Sequence, residues 1–142
     1  MIVVAIIGIL AAIAVPNFIT YRNKSRVAAT VGTGDSVRAA IASFAADSVD
    51  NLFPTTASVG NSYDNLRTIA NKNGATLPAT ASKTFDVVNY GTIDTDGDGV
   101  MDSYSMRVTV LGVPNSFVGN QLLITPEGGV QRCADGTTAN CK

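Results

Sequence analysis

At 142 residues the chain has room for one domain with a real core, and 46% hydrophobic against 15% charged side chains is apolar for a freely soluble one. It contains no histidine, which removes the commonest general base and the commonest transition-metal ligand together. A formal net charge of -1 provides no global field that favours nucleic acid.

The apolar excess lies at the start. Residues 1–21 carry no charged side chain. Met1, Ile2, Val3, Val4, Ala5, Ile6, Ile7, Gly8, Ile9, Leu10, Ala11, Ala12, Ile13, Ala14 and Val15 are uncharged and almost wholly aliphatic, and Pro16 and Asn17 then interrupt. One reading is a secretory h-region with Ala12-Ile13-Ala14 as its cleavage site, although no basic stretch precedes it. Another is a plain transmembrane helix. Residues 1–15 at about 1.5 Å each reach roughly 22 Å, short of the roughly 30 Å hydrocarbon core. A third is a membrane-compatible helix that finally packs on copies of itself, with Ala5, Gly8, Ala11 and Ala12 allowing close approach. A buried core helix, the fourth, would have to be surrounded on every face, which a domain this small hardly can do.

Past Pro16, which should kink or locally melt the helix, a helical pattern returns over residues 17–50. Val27, Val31, Val37, Ile41 and Phe44 give one apolar stripe, while Arg22, Arg26, Asp35, Arg38 and Asp47 take largely other faces. Gly32 and Gly34 weaken this stretch by about 1 kcal/mol each relative to Ala. Phe53-Pro54 ends it. Residues 55–61 read as loop, and Asn61 or Ser62 caps a short helix over residues 63–73 with Leu66, Ile69 and Ala70 inward and Gly74 at its end. Residues 76–83 are loop again.

From Thr84 the period changes to two. Phe85, Val87 and Val88 suggest a strand. Over residues 103–110, Tyr104, Met106, Val108 and Val110 alternate with Ser103, Ser105, Arg107 and Thr109, the pattern of a half-buried strand. Residues 121–125 and 129–132 are further strands about a turn at residues 126–129. The fold class is therefore α+β: a long N-terminal α-helix (stalk) packed against a small antiparallel β-sheet head, the helix stripe covering the apolar face of the sheet.

Residues 94–102 read D-T-D-G-D-G-V-M-D. Oxygen ligands at alternate positions converge on one hard cation, and Gly99 permits the sharp turn. Calcium suits an all-oxygen set of Asp94, Asp96, Asp98 and Asp102 with the Val100 carbonyl. An EF-hand is not matched, because Ser105 stands where a bidentate Glu would and a strand follows where a helix would. The competing reading is an acidic hairpin turn, since Asp-Gly favours turns. Cys133 and Cys141, the two cysteines, lack the spacing and extra ligands of a zinc or redox site, so they read as a disulfide in an oxidising compartment. No nucleophile–base or phosphate-loop arrangement can be assembled, so no enzymatic activity is expected.

MIVVAIIGILAAIAVPNF resembles the N-terminal helix of type IV pilins and of the related pseudopilins of type II secretion, over about the first 26 residues. In that family the mature chain usually begins six residues earlier, with an N-methylated Phe, Thr-Leu, an aliphatic residue, Glu and Leu. Met1 thus looks like an internal family position, and neither the leader-peptidase site nor the assembly glutamate is assignable here. Six more residues would bring the apolar segment to about 31 Å. The resemblance implies residues 1–21 as an apolar membrane and assembly helix (through Pro16 for assembly) and residues 22–142 as a globular head. It also implies a C-terminal disulfide loop, matched by Cys133 and Cys141, and calcium as the cofactor that major pseudopilins are known for. Arg22, Lys24 and Arg26 alone would put that flank in the cytoplasm by the positive-inside rule, but the cysteine pair and the resemblance favour the exported side. The implied function is a structural type IV pilus subunit: a homopolymer at the cell exterior, drawn from an inner-membrane pool by pilus assembly machinery, with no nucleic acid evident as a partner. A major pseudopilin of type II secretion is the runner-up, and a membrane-anchored calcium-dependent binding module is the rival from another class.

Overall fold

The computed structural model describes residues 1–133 and 141. Its first element, α1 (Ile2–Asp47), is one 46-residue helix, about 69 Å long at 1.5 Å per residue. Pro16 lies inside it without a break, so the expected local melting does not occur. Proline holds φ near the helical value and removes only one donor. The Thr20 Oγ1 hydroxyl donates to the Pro16 carbonyl at 3.2 Å, so the neighbouring turn gains a side-chain bond.

The two halves of α1 differ in surroundings. Residues 1–22 are exposed on every face. From Asn23 onward one face is buried, by Asn23, Val27, Thr30, Gly34, Val37, Ile41 and Ala45 in steps of three and four. Of the expected stripe, Val27, Val37 and Ile41 are buried, and Val31 and Phe44 flank it half-buried. Asn23, Thr30 and Gly34 fill the gaps. Thr30 remains satisfied because its hydroxyl donates to the Arg26 carbonyl at 3.0 Å.

The helix ends at Asp47, three residues before the expected end at Asp50. Ser48 is the reason: its Oγ accepts from Leu52 N at 2.8 Å, offering the backbone an alternative to helix. The 55–61 stretch, expected as loop, contains a four-residue helix, α2 (Thr56–Val59). Thr55 Oγ1 accepts from Ser58 N at 3.2 Å to cap it, and the fully buried Val59 anchors it. Helix α3 (Tyr63–Lys72) starts at Ser62, whose Oγ accepts from Asn65 N at 3.4 Å, and Gly74 follows it at φ +93°. One 3-10 turn, Thr80–Ser82, lies in the next connection, where plain loop was expected.

Strands β1 (Phe85–Ile93), β2 (Ser103–Val110), β3 (Gln121–Thr125) and β4 (Gly129–Cys133) form one antiparallel sheet in the order β1-β2-β3-β4. β4 runs one residue beyond the expected 129–132. In β1, Val87 pairs with Val108 and Asn89 with Arg107, so Val88 is an unpaired bulge residue and faces solvent. That extra residue lets both Val87 and Tyr90 face the core although they are three apart. The core face comprises Phe85, Val87, Tyr90, Tyr104, Met106, Val108, Val110, Leu122 and Ile124. Helix α1 covers it by lying against β2, β3 and β4, and α3 packs on α1. Gly34 makes the close approach possible: a Cβ there would meet Ile124 Cδ1 and Val130 Cγ2, each at 3.1 Å.

Candidate assembly helix and acidic loop

The exposed half of α1 is a thermodynamic problem for an isolated chain in water. Ile2, Val3, Val4, Ile6, Ile7, Ile9, Leu10, Ile13, Val15, Phe18 and Ile19 are all at least half exposed. At about 1.5–3 kcal/mol of foregone burial each, these eleven side chains amount to roughly 17–33 kcal/mol. A whole domain is stable by only about 5–15 kcal/mol. Something apolar must cover this surface. Because the helix continues through Pro16, residues 2–21 alone give an uncharged length of about 30 Å, enough to cross the hydrocarbon core of a bilayer. The shorter figure of roughly 22 Å counted only residues up to Pro16. Spacings of three and four bring Ala5, Gly8 and Ala12 to one side of the helix, where a Cβ on Gly8 would meet open space.

The acidic loop joins β1 to β2 at the edge of the head. Its aspartates first organise their own backbone. The Asp94 carboxylate accepts from Gly97 N at 2.6 Å and from Gly99 N at 2.9 Å. Asp96 Oδ1 accepts from Asp98 N at 3.3 Å, and Asp98 Oδ1 from Val100 N at 2.7 Å. Asp102 Oδ1 accepts from Thr95 N at 2.9 Å, closing the loop across its base. Gly97 and Gly99 adopt φ of +80° and +87°, so two positions here favour glycine, where sequence reasoning singled out Gly99 alone. The Gly99 and then the Gly97 N–H hold the Asp94 carboxyl below its ordinary pKa.

This folding brings Asp94, Asp96 and Asp98 together, one oxygen from each lying within 4.8 Å of the others. Three carboxylates this close repel one another, and among the described residues no Lys or Arg forms an ion pair with them. The donor set is all oxygen and fits a hard divalent cation such as calcium, not a thiolate- or imidazole-seeking metal. Asp102 stands outside the trio, engaged with Thr95 N. For Val100, the N–H is committed to Asp98 and its side chain is exposed.

At the end of β4, the buried Cys133 is disulfide-bonded to Cys141. Its carbonyl accepts from Gly119 N at 3.2 Å, tying the connection before β3 to the last strand. The seven residues between the cysteines, 134–140, lie outside the described residues. One cavity has no precursor in the sequence reading. It lies between α1, the β2–β3 connection and β4, and Lys24 and Arg132, 108 positions apart in the chain, both line it. No local pattern could have paired them.

No protein-family model, curated protein or solved structure matches this chain.

Proposed function

We propose that this chain is the structural subunit of a type IV pilus, polymerising through residues 1–21 of α1 into an extracellular filament after residence in the inner membrane. The observation that carries this reading is a single rigid helix with one half packed on the sheet and the other half uncharged and wholly uncovered. Such a half-helix suits a bilayer first and a bundle of identical helices later, since both are apolar and continuous around it. The head then decorates the outside. A filament role asks for packing surfaces and asks nothing of catalytic groups. The acidic loop is proposed to hold calcium with Asp94, Asp96, Asp98, Asp102 and the Val100 carbonyl, as a stabiliser of the head.

The second reading, a major pseudopilin of type II secretion, keeps the architecture and is favoured by the acidic trio. The terminal disulfide favours the pilus. Surface filaments that contain the subunit separate the two. The assembly reading is tested by Ile6→Asp and Ile9→Asp in the producing cell. Each puts an unpaired charge into an apolar bundle at a cost of several kcal/mol. Filaments sheared from the cells and counted by electron microscopy should be lost, and wild-type yield would overturn the reading.

A further inference from the structure

The cavity at the base of the head is lined by Lys24, Val27, Ala28, Phe117, Val118 and Arg132 among others, with a volume of about 730 Å³. It brings cations from two distant segments to one apolar-walled recess. Among the described residues no acidic side chain lines it, and the first acidic side chain in the sequence is Asp35. Neither cation is used elsewhere by an ion pair or hydrogen bond among the described residues. Lys24 sits 5.9 Å from the Tyr21 ring, and the Arg132 stem packs beside Gly119. Val118 projects at the rim with 65% of its surface exposed.

Depth decides what can reach this recess. Arg22 ends the uncharged stretch, so with Tyr21 at the hydrocarbon boundary Lys24 lies about 4.5 Å beyond it. That is inside the polar headgroup layer, which adds roughly 5–7 Å on each side of the hydrocarbon core. We propose that this recess binds the phosphate of an anionic phospholipid headgroup through Lys24 and Arg132. Phe117 and Val118 then rest against the glycerol and upper acyl region, docking the head on the bilayer before assembly. The inference rests on the membrane residence of α1 proposed above. Phosphate supplies a counter-charge for two cations that form no ion pair among the described residues, and Phe117 and Val118 give the recess an apolar wall.

The chain contains no tryptophan, so Val118→Trp in the full chain gives a sole emission reporter at the rim. The protein is reconstituted into vesicles of phosphatidylcholine alone or of phosphatidylcholine mixed with phosphatidylglycerol. Flotation reports membrane residence, and emission reports docking. The expected result is flotation with both lipids and a blue shift only with phosphatidylglycerol, weakened by salt. Lys24→Gln with Arg132→Gln should float as before and lose the shift, the docked-to-undocked ratio falling about five-fold per charge removed. Lys24→Arg with Arg132→Lys should retain it, which separates charge from misfolding. Equal emission in the two lipids overturns the headgroup site while leaving membrane residence intact. A shift produced by inorganic phosphate with phosphatidylcholine vesicles also overturns it, in favour of a soluble anion. Failure to float overturns both readings together.

Discussion

Gly34 illustrates how one missing side chain sets the distance between helix and sheet. A valine there would push its branches into Ile124 and Val130, which already stand 3.1 Å from where the Cβ would lie. Overpacking of this kind typically costs about 1–3 kcal/mol. Gly32 has open space around the same construction, so Gly32→Ala should gain about 0.5–1 kcal/mol through helix propensity alone. Thermal unfolding of the detergent-solubilised protein should therefore move down for Gly34→Val and up for Gly32→Ala. Equal shifts would deny that Gly34 is a packing residue. From sequence both glycines read only as weak points in a helix. What distinguishes them is a pair of strands some ninety residues away, which no local pattern reports.

The elements whose identity is decided locally were legible: α3 with its Ser62 cap and following Gly74, and β2 with its strict alternation. Those decided by competition were not. α2 depends on Thr55 capping and on a buried Val59, and the last turn of α1 yields to Ser48. The acidic loop lies between these cases. Its aspartate spacing was legible, but not that Asp102 would brace Thr95 while three others converge. If calcium occupies the trio, it stabilises the native head by about 2.7 kcal/mol at a concentration one hundred times its dissociation constant. Chelation should then lower the melting temperature, and Asp96→Ala should remove the response. Coincident melts across millimolar calcium would leave the loop an acidic turn. Without metal the carboxylate order has its own pH limit. Asp94 is depressed below 3.8, so its contribution is present above that pH and is lost as pH falls through the lower folded value.

For the whole molecule, the α+β class and the covering of the sheet by the α1 stripe were legible because period 3.6 and period 2 segments occupy separate stretches. Less legible was the aromatic seam holding the head together. Tyr104 meets Phe53 edge-on at 5.0 Å and stacks on Tyr90 at 5.7 Å, while the Tyr90 hydroxyl donates to the Pro54 carbonyl at 2.8 Å. Burial pushes both phenols up, Tyr104 to about 12 despite the opposing pull of Arg38. Raised values mean that the neutral rings favour the fold below pH 10 and that this support is lost as pH rises toward the folded values. Alkaline titration followed by ultraviolet absorbance should show these two phenols ionising together with loss of the head; ionisation near pH 10 with the head intact would contradict the seam. The uninterrupted helix has a mechanical consequence. A tensile pull between the head and the first turns of α1 is carried by the parallel backbone hydrogen bonds of each turn, and at Pro16 that set lacks the N–H that would return to the Ala12 carbonyl. The turn around Pro16 is thus the first to yield, and each residue that unwinds lengthens the rod from about 1.5 Å toward about 3.4 Å, giving the chain a built-in extensible section while both ends stay folded.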